Sequence, residues 1–182
     1  MEYRLMTMAD YDEVYQLWVA CHNGINSTDD SYDGIEKYLK RNPTTTFVAV
    51  DEGHVCGVIL CGHDGRRGII QHMSVSPDHR RLGIGGKLVE LALDALKKEG
   101  IKKVLLVAFK HNELGNAFWE AQGFTLREDL NYRNKALEEL EIIDTYKDEK
   151  SCCLVTAAFS VRICIDDLEF LKRFVSVVKI FS

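Results

Sequence analysis

The alternation of apolar and polar positions divides the chain into short segments of two kinds. Residues 2–6 read as a first strand. Residues 10–21 carry Val14, Leu17, Trp18 and Cys21 at helical spacing, with Thr7 or Asp10 available as a cap. Residues 22–32 are turn-rich and show no apolar periodicity, so they are expected to form a loop; 33–39 then read as a short helix stopped by Asn42-Pro43. Residues 45–50 and 54–62 predict a hairpin about Asp51-Glu52-Gly53. Ile69, Ile70, Met73 and Val75 predict a central strand that stops at Pro77. From Leu88 the period changes: Leu88, Leu91, Ala92, Ala95 and Leu96 define a helix closed by Gly100. Residues 103–109 form a continuous apolar run, the pattern of a strand buried on both faces. Residues 113–122 predict a helix with Phe118 and Trp119 on its apolar side, and 124–133 predict one or two further strands.

Between the central strand and its helix lies Arg80-Arg81-Leu82-Gly83-Ile84-Gly85-Gly86-Lys87. A glycine-rich turn that opens a helix suits a phosphate, because first-turn N–H groups have no intrahelical partner and stand at the positive end of the helix dipole. Glycines admit the anion close to the backbone, and Arg80 and Arg81 add positive charge. Two other phosphate loops do not fit. A P-loop needs a glycine five residues before the Gly-Lys pair, where Arg81 stands, and Ser or Thr after it, where Leu88 stands. The dinucleotide fingerprint needs an acidic residue about 20 positions on, where this chain has Lys102 to Val107.

The segment Arg80-Arg81-Leu82-Gly83-Ile84-Gly85 satisfies Arg/Gln-x-x-Gly-x-Gly/Ala and, with Met73-Ser74-Val75-Ser76-Pro77 before it, closely resembles the acetyl-CoA motif of the GNAT superfamily of N-acetyltransferases. A second stretch, Asn112 to Phe124, resembles the family's Asn-x-x-Ala-x-x-Phe-Tyr-x-x-x-Gly-Phe. With Asp64-Gly65-Arg66-Arg67-Gly68, it is similar to small bacterial members of the ribosomal-protein alanine acetyltransferase type. The resemblance covers residues 1 to about 135 and implies an α/β fold, a central mixed sheet flanked by helices in the order β-α-α-β-β-β-α-β-α-β. It implies acetyl transfer from acetyl-CoA to a primary amine, on a protein N-terminus or a small molecule, by direct attack in a ternary complex. A CoA-binding module without turnover is the alternative.

The same resemblance lays the pantetheine arm along Met73, Ser74 and Val75 and the pyrophosphate on the amides from Arg81 through Leu82, Gly83, Ile84, Gly85 and Gly86 to Lys87, with Arg80 or Arg81 assisting. Asn112 would touch the pantetheine and Phe118 would pack beside it. An N–H near Met73 or Ser74 would hold the oxyanion. The base would be His72, beside the acetyl site, or His111, histidine being the side chain type suited to proton transfer near neutral pH, or a water chain. The family's acid, a tyrosine, is replaced by Trp119, whose indole N–H donates a hydrogen bond but does not deliver a proton. Tyr132, on the expected last strand, or solvent would then protonate the thiolate. Asp29, Asp30, Asp33 and Glu36 would draw in a cationic amine or simply form a solvated acidic loop with Asp33 as helix cap.

Charge and composition narrow the remaining choices. The net charge of −5 is uneven, since residues 146–182 carry six basic and five acidic groups and the rest is acidic. Such a domain is a poor nucleic-acid binder. No signal peptide or membrane-length apolar run is read, and six cysteines without a Cys-x-x-Cys pair predict free thiols, no metal and a cytoplasmic setting. The acetyltransferase domain is expected over 1–145. Beyond it, 146–182 hold a strand-like run and an amphipathic helix led by Asp166-Asp167, whose apolar surface must be covered by its own domain or a second subunit. A homodimer is the expectation.

Overall fold

The computed structural model describes residues 1–145 of the 182. The strand-like run and amphipathic helix expected beyond them, and the dimer that rests on them, lie outside the described residues.

The chain begins with β1 (Glu2–Leu5), a single 3-10 turn (Met8–Asp10) and α1 (Tyr11–Ala20). A two-residue strand, β2 (Ile25–Asn26), and α2 (Tyr32–Arg41) follow. The hairpin is β3 (Phe47–Asp51) and β4 (His54–His63), and the central strand is β5 (Gly68–Val75). A second 3-10 turn (Pro77–His79) leads to α3 (Ile84–Lys98), then β6 (Val104–Leu106), α4 (Glu113–Ala121) and β7 (Ile142–Ile143). Strand order in the main sheet is β1-β3-β4-β5-β6, antiparallel except for the β5–β6 pair, and β2 pairs with β7 in a separate two-stranded ribbon.

Both faces of the sheet are covered, and the period-2 rule assigns each residue to its face. Val48, Val50, Val58 and Leu60 pack with Val14, Leu17, Trp18, Ile25 and Ile35 on the α1–α2 side. The intervening Ala49, Ile59 and Cys61 pack with Ile70, Ile84, Leu88, Ala92 and Leu96 on the α3 side. Every one of these side chains is buried, so β3 and β4 read as continuous apolar runs rather than alternating ones. Gly57 is the point where α3 lies closest: a Cβ there would stand 3.0 Å from Ile84 Cγ2 and 3.1 Å from Leu88 Cδ1.

Three expectations need correction. The run 103–109 is a strand only at Val104–Leu106, an edge strand among the described residues, with Leu105, Val107 and Phe109 exposed. Residues 124–133 form no strand; Glu128 and Asp129 sit in a turn, across which Arg127 closes a two-pronged ion pair on Asp129 at 2.7 Å. The last strand instead forms at Ile142–Ile143, because buried Ile25 in the supposed loop gives it a partner to pair with. The cap of α2 is Ser31, whose Oγ accepts from the Gly34 N–H at 3.1 Å, rather than Asp33.

Candidate active site

The site begins with a β-bulge. Leu60 pairs with His72 and Cys61 with Ile70, so Gln71 is the extra residue of β5. The bulge lets Ile70 and Met73, three apart, both face α3, while His72 and Ser74 face α1. The backbone sorts in the same way. Ser76 N–H donates to Cys56 O at 2.8 Å, so by the antiparallel rule Ser74 and His72 also aim their backbone groups at β4, and Met73 and Val75 aim theirs at the opposite edge. On that edge β6 pairs only as far as Leu106, opposite Ile70. The backbone from Met73 to Val75 is therefore an open strand edge, and Val75 O receives Arg80 Nε at 3.3 Å and Cys21 Sγ at 3.5 Å.

Next to this edge stands the start of α3. Gly83 takes φ +81°, a left-handed conformation that glycine adopts without strain, and Arg81 takes +63°. The first intrahelical bond is Lys87 N–H to Gly83 O at 3.1 Å, so the N–H groups of Ile84, Gly85 and Gly86 have no helical acceptor. No side chain caps this end and no acidic residue lies in the first turn. It is an uncompensated positive helix terminus. A Cβ at Gly85 would stand 3.0 Å from Met73 Cε and 3.2 Å from Phe118 Cε2, so helix start, strand edge and α4 converge there. This arrangement fits a phosphate followed by an extended polar arm that pairs as a strand would.

The other expected residues fall in varied places. Lys87 is exposed, paired with Glu90 at 2.9 Å, which holds its ammonium above its usual pKa. Leu82 is exposed on the turn. Asn112 is the N-cap of α4, its Oδ1 accepting from Gly115 N–H at 2.9 Å. Phe118 and Trp119 meet edge to face at 5.0 Å, and Trp119 meets Phe124 likewise at 5.2 Å, all three packed against the α3-side core. His111 stacks on exposed Phe109. Tyr132 lies on irregular, exposed backbone, its hydroxyl accepting from Asn134 Nδ2 at 3.4 Å, and not on the strand that was to bring it to the site.

His72 has acquired partners that no spacing announced. Its Nε2 lies 2.8 Å from Asp30 Oδ1, and its ring stands against the buried Trp18 ring with centroids 4.9 Å apart. Nearby, Ser74 Oγ donates to Asn23 Oδ1 at 3.1 Å. Of the four acidic residues expected to attract an amine, Asp30 is buried and held by His72, and Glu36 is paired with Lys40. Among the described residues no group of three or more His, Cys, Asp and Glu gathers as a metal site, and no helix is long and apolar enough to cross a membrane.

The chain resembles known proteins in sequence and in fold. An acetyltransferase of Pectobacterium atrosepticum is 26% identical over 141 residues, which span 78% of this chain and 99% of that protein. The crystal structure of Ard1 from Thermoplasma volcanium is similar over 69% of this chain and 83% of its own, with TM-score 0.61 and 19% identity. The PaiA N-acetyltransferase from Thermoplasma acidophilum, solved in complex with coenzyme A, is similar over 69% and 90%, with TM-score 0.59 and 16% identity. Residues 11–124 match the model of the Acetyltransferase (GNAT) family. The chain belongs to that family, and it is an acetyl-CoA-dependent N-acetyltransferase acting on amines.

Proposed function

We propose that the chain acetylates a primary amine, on a protein N-terminus or a small molecule, by direct attack within a ternary complex, using His72 as base. The observation that carries this reading is the meeting, at Gly85, of the bare N-terminus of α3 with the open edge of β5. The pyrophosphate of acetyl-CoA rests on the amides of Ile84, Gly85 and Gly86, with Arg81 beside the turn, and the pantetheine runs along Met73 and Val75. Asn112, whose Oδ1 caps α4, would offer its Nδ2 to the same arm, and Phe118, which lies beside Gly85, would pack against it.

His72 takes one proton from the ammonium form of the acceptor, directly or through water. The freed lone pair attacks the thioester carbonyl carbon, and the developing oxyanion accepts from an N–H. The orientation of the strand favours Met73 over Ser74 as that donor, because Ser74 N–H faces β4. Collapse breaks the C–S bond; the attacking nitrogen gives up its surplus proton, and the departing thiolate takes one, either directly from that nitrogen or by way of solvent. Trp119, packed between Phe118 and Phe124, is a wall of the site rather than its acid. The free thiols of Cys21, Cys56 and Cys61 are consistent with work in the reducing cytoplasm.

The test is a panel of amines, from N-terminal peptides to small polyamines and aminosugars, offered with acetyl-CoA while free CoA is measured. Release with at least one amine, dependent on His72, is expected. A protein that binds acetyl-CoA and turns over with none is a binding module instead.

A further inference from the structure

We infer that Asp30 is the positioning residue of the base: it fixes the His72 ring in the tautomer whose proton sits on Nε2, leaving the Nδ1 lone pair as the proton acceptor. The inference rests on His72 being the base of the proposed reaction.

Both carboxylate oxygens and the backbone carbonyl of Asp30 are committed. Oδ1 faces His72 Nε2 at 2.8 Å, Oδ2 accepts from the Asn26 N–H at 2.8 Å, and the backbone O accepts from the Tyr11 hydroxyl at 2.9 Å. The residue keeps only 4% of its surface exposed, so its carboxylate depends on these donors in place of water. A carboxylate only accepts; the nitrogen facing it must carry the proton. In neutral imidazole the other nitrogen is then the base, and Nδ1 of His72 has no partner among the described residues. Trp18 fixes the ring plane from the α1 side, and the Gln71 bulge, with Leu60 opposite, fixes the strand beneath it. The His72 side chain keeps 15% of its surface open, so it is not sealed from solvent as Asp30 is. Asp30 and His72 are 42 residues apart in the chain, and the helix–loop segment is tied to β5 again by Asn23 and Ser74.

The variant Asp30→Asn separates positioning from packing. Its side chain has one acceptor and one donor where Asp30 has two acceptors. The Asn26 N–H is a fixed donor, so the amide oxygen must face it, and the amide NH2 then faces His72. Nε2 becomes an acceptor, the proton moves to Nδ1, and the base is blocked.

The experiment pairs nitrogen-15 NMR of labelled histidine with steady-state kinetics on the full chain. In the wild type His72 is expected as the Nε2–H tautomer, and in Asp30→Asn as the Nδ1–H tautomer. In parallel, kcat is expected to fall by at least about 100-fold, the scale of a lost general base, with KM for acetyl-CoA unchanged. An Nδ1–H tautomer in the wild type overturns the inference without any variant or substrate. Loss of turnover in His72→Gln but not in Asp30→Asn overturns the inference alone. Full turnover in His72→Gln overturns the reading of His72 as base, and this inference with it.

Discussion

Gly57 of β4 and Leu88 of α3 are packed so closely that a Cβ on the glycine would stand 3.1 Å from the leucine Cδ1. The contact seats the helix whose bare N-terminus we propose as the anion cradle. Gly57→Val is expected to lower stability by about 1–3 kcal/mol, the usual cost of overpacking, because Ala49 closes the third side at 3.4 Å. Denaturant titration reads it, and an unchanged midpoint would show that α3 lies further from the sheet than described.

Arg4 grips Asp10 through two hydrogen bonds, at 2.6 and 2.8 Å, and Thr7 N–H adds a third at 2.8 Å. The Arg4 guanidinium, aided by the Thr7 donors, holds the Asp10 carboxyl below its ordinary value. A carboxyl whose folded pKa is lowered adds stability above its unfolded value, about 3.9, and that stability is lost as pH falls through the lower folded one. Arg4→Met is therefore expected to cost about 1–3 kcal/mol near pH 7, with the gap to wild type closing in acid. Urea titrations across that range measure it; a gap that stays constant into strong acid would contradict it.

Trp119 stands where the family carries a tyrosine, and its neighbours are the rings of Phe118 and Phe124. Trp119→Phe keeps the edge-to-face contacts and is expected to leave kcat within about threefold while lowering stability by about 1 kcal/mol. A collapse of kcat in a folded variant would make the indole N–H part of the chemistry.

Cysteine reactivity should follow burial. Burial pushes the Cys61 thiol up to about 12 and raises that of Cys56 as well, whereas Cys21 is only half-buried. With a thiol reagent at neutral pH, peptide mapping is expected to show Cys21 modified at least about tenfold faster than Cys61. Equal rates would mean that the sheet opens on that timescale.

The hairpin, the central strand and the cradle helix were legible in the sequence because each has an unbroken local signal: Asp51-Glu52-Gly53 at a turn, Pro77 at a strand end, Leu88 to Leu96 on a helix face. The glycine-rich turn before α3 was legible for the same reason, since glycines, arginines and the helix start are consecutive. The run 103–109 misled because apolar residues report burial only when both flanks are filled, and among the described residues β6 has a neighbour on one side. Residues 124–133 misled because the Arg127–Asp129 turn interrupts an otherwise strand-like composition. The His72–Asp30 pair was illegible as a pair, although both residues had been singled out: it joins segments 42 residues apart, and only the fold sets their distance. A single bulge residue, Gln71, marks where β5 departs from simple alternation, and glutamine there carries no bulge signal.

The central claim is that the start of α3 and the edge of β5 hold acetyl-CoA. The most direct test is calorimetric titration of the full chain with acetyl-CoA, with NAD and ATP as controls, repeated on Gly85→Glu. The variant places a carboxylate where the bare amides converge with Met73 and Phe118. Binding of acetyl-CoA in preference to the controls, abolished in a folded Gly85→Glu, is the predicted result. Wild-type protein that does not bind acetyl-CoA, or a folded Gly85→Glu that binds it as tightly as wild type, would contradict the assignment of the cradle.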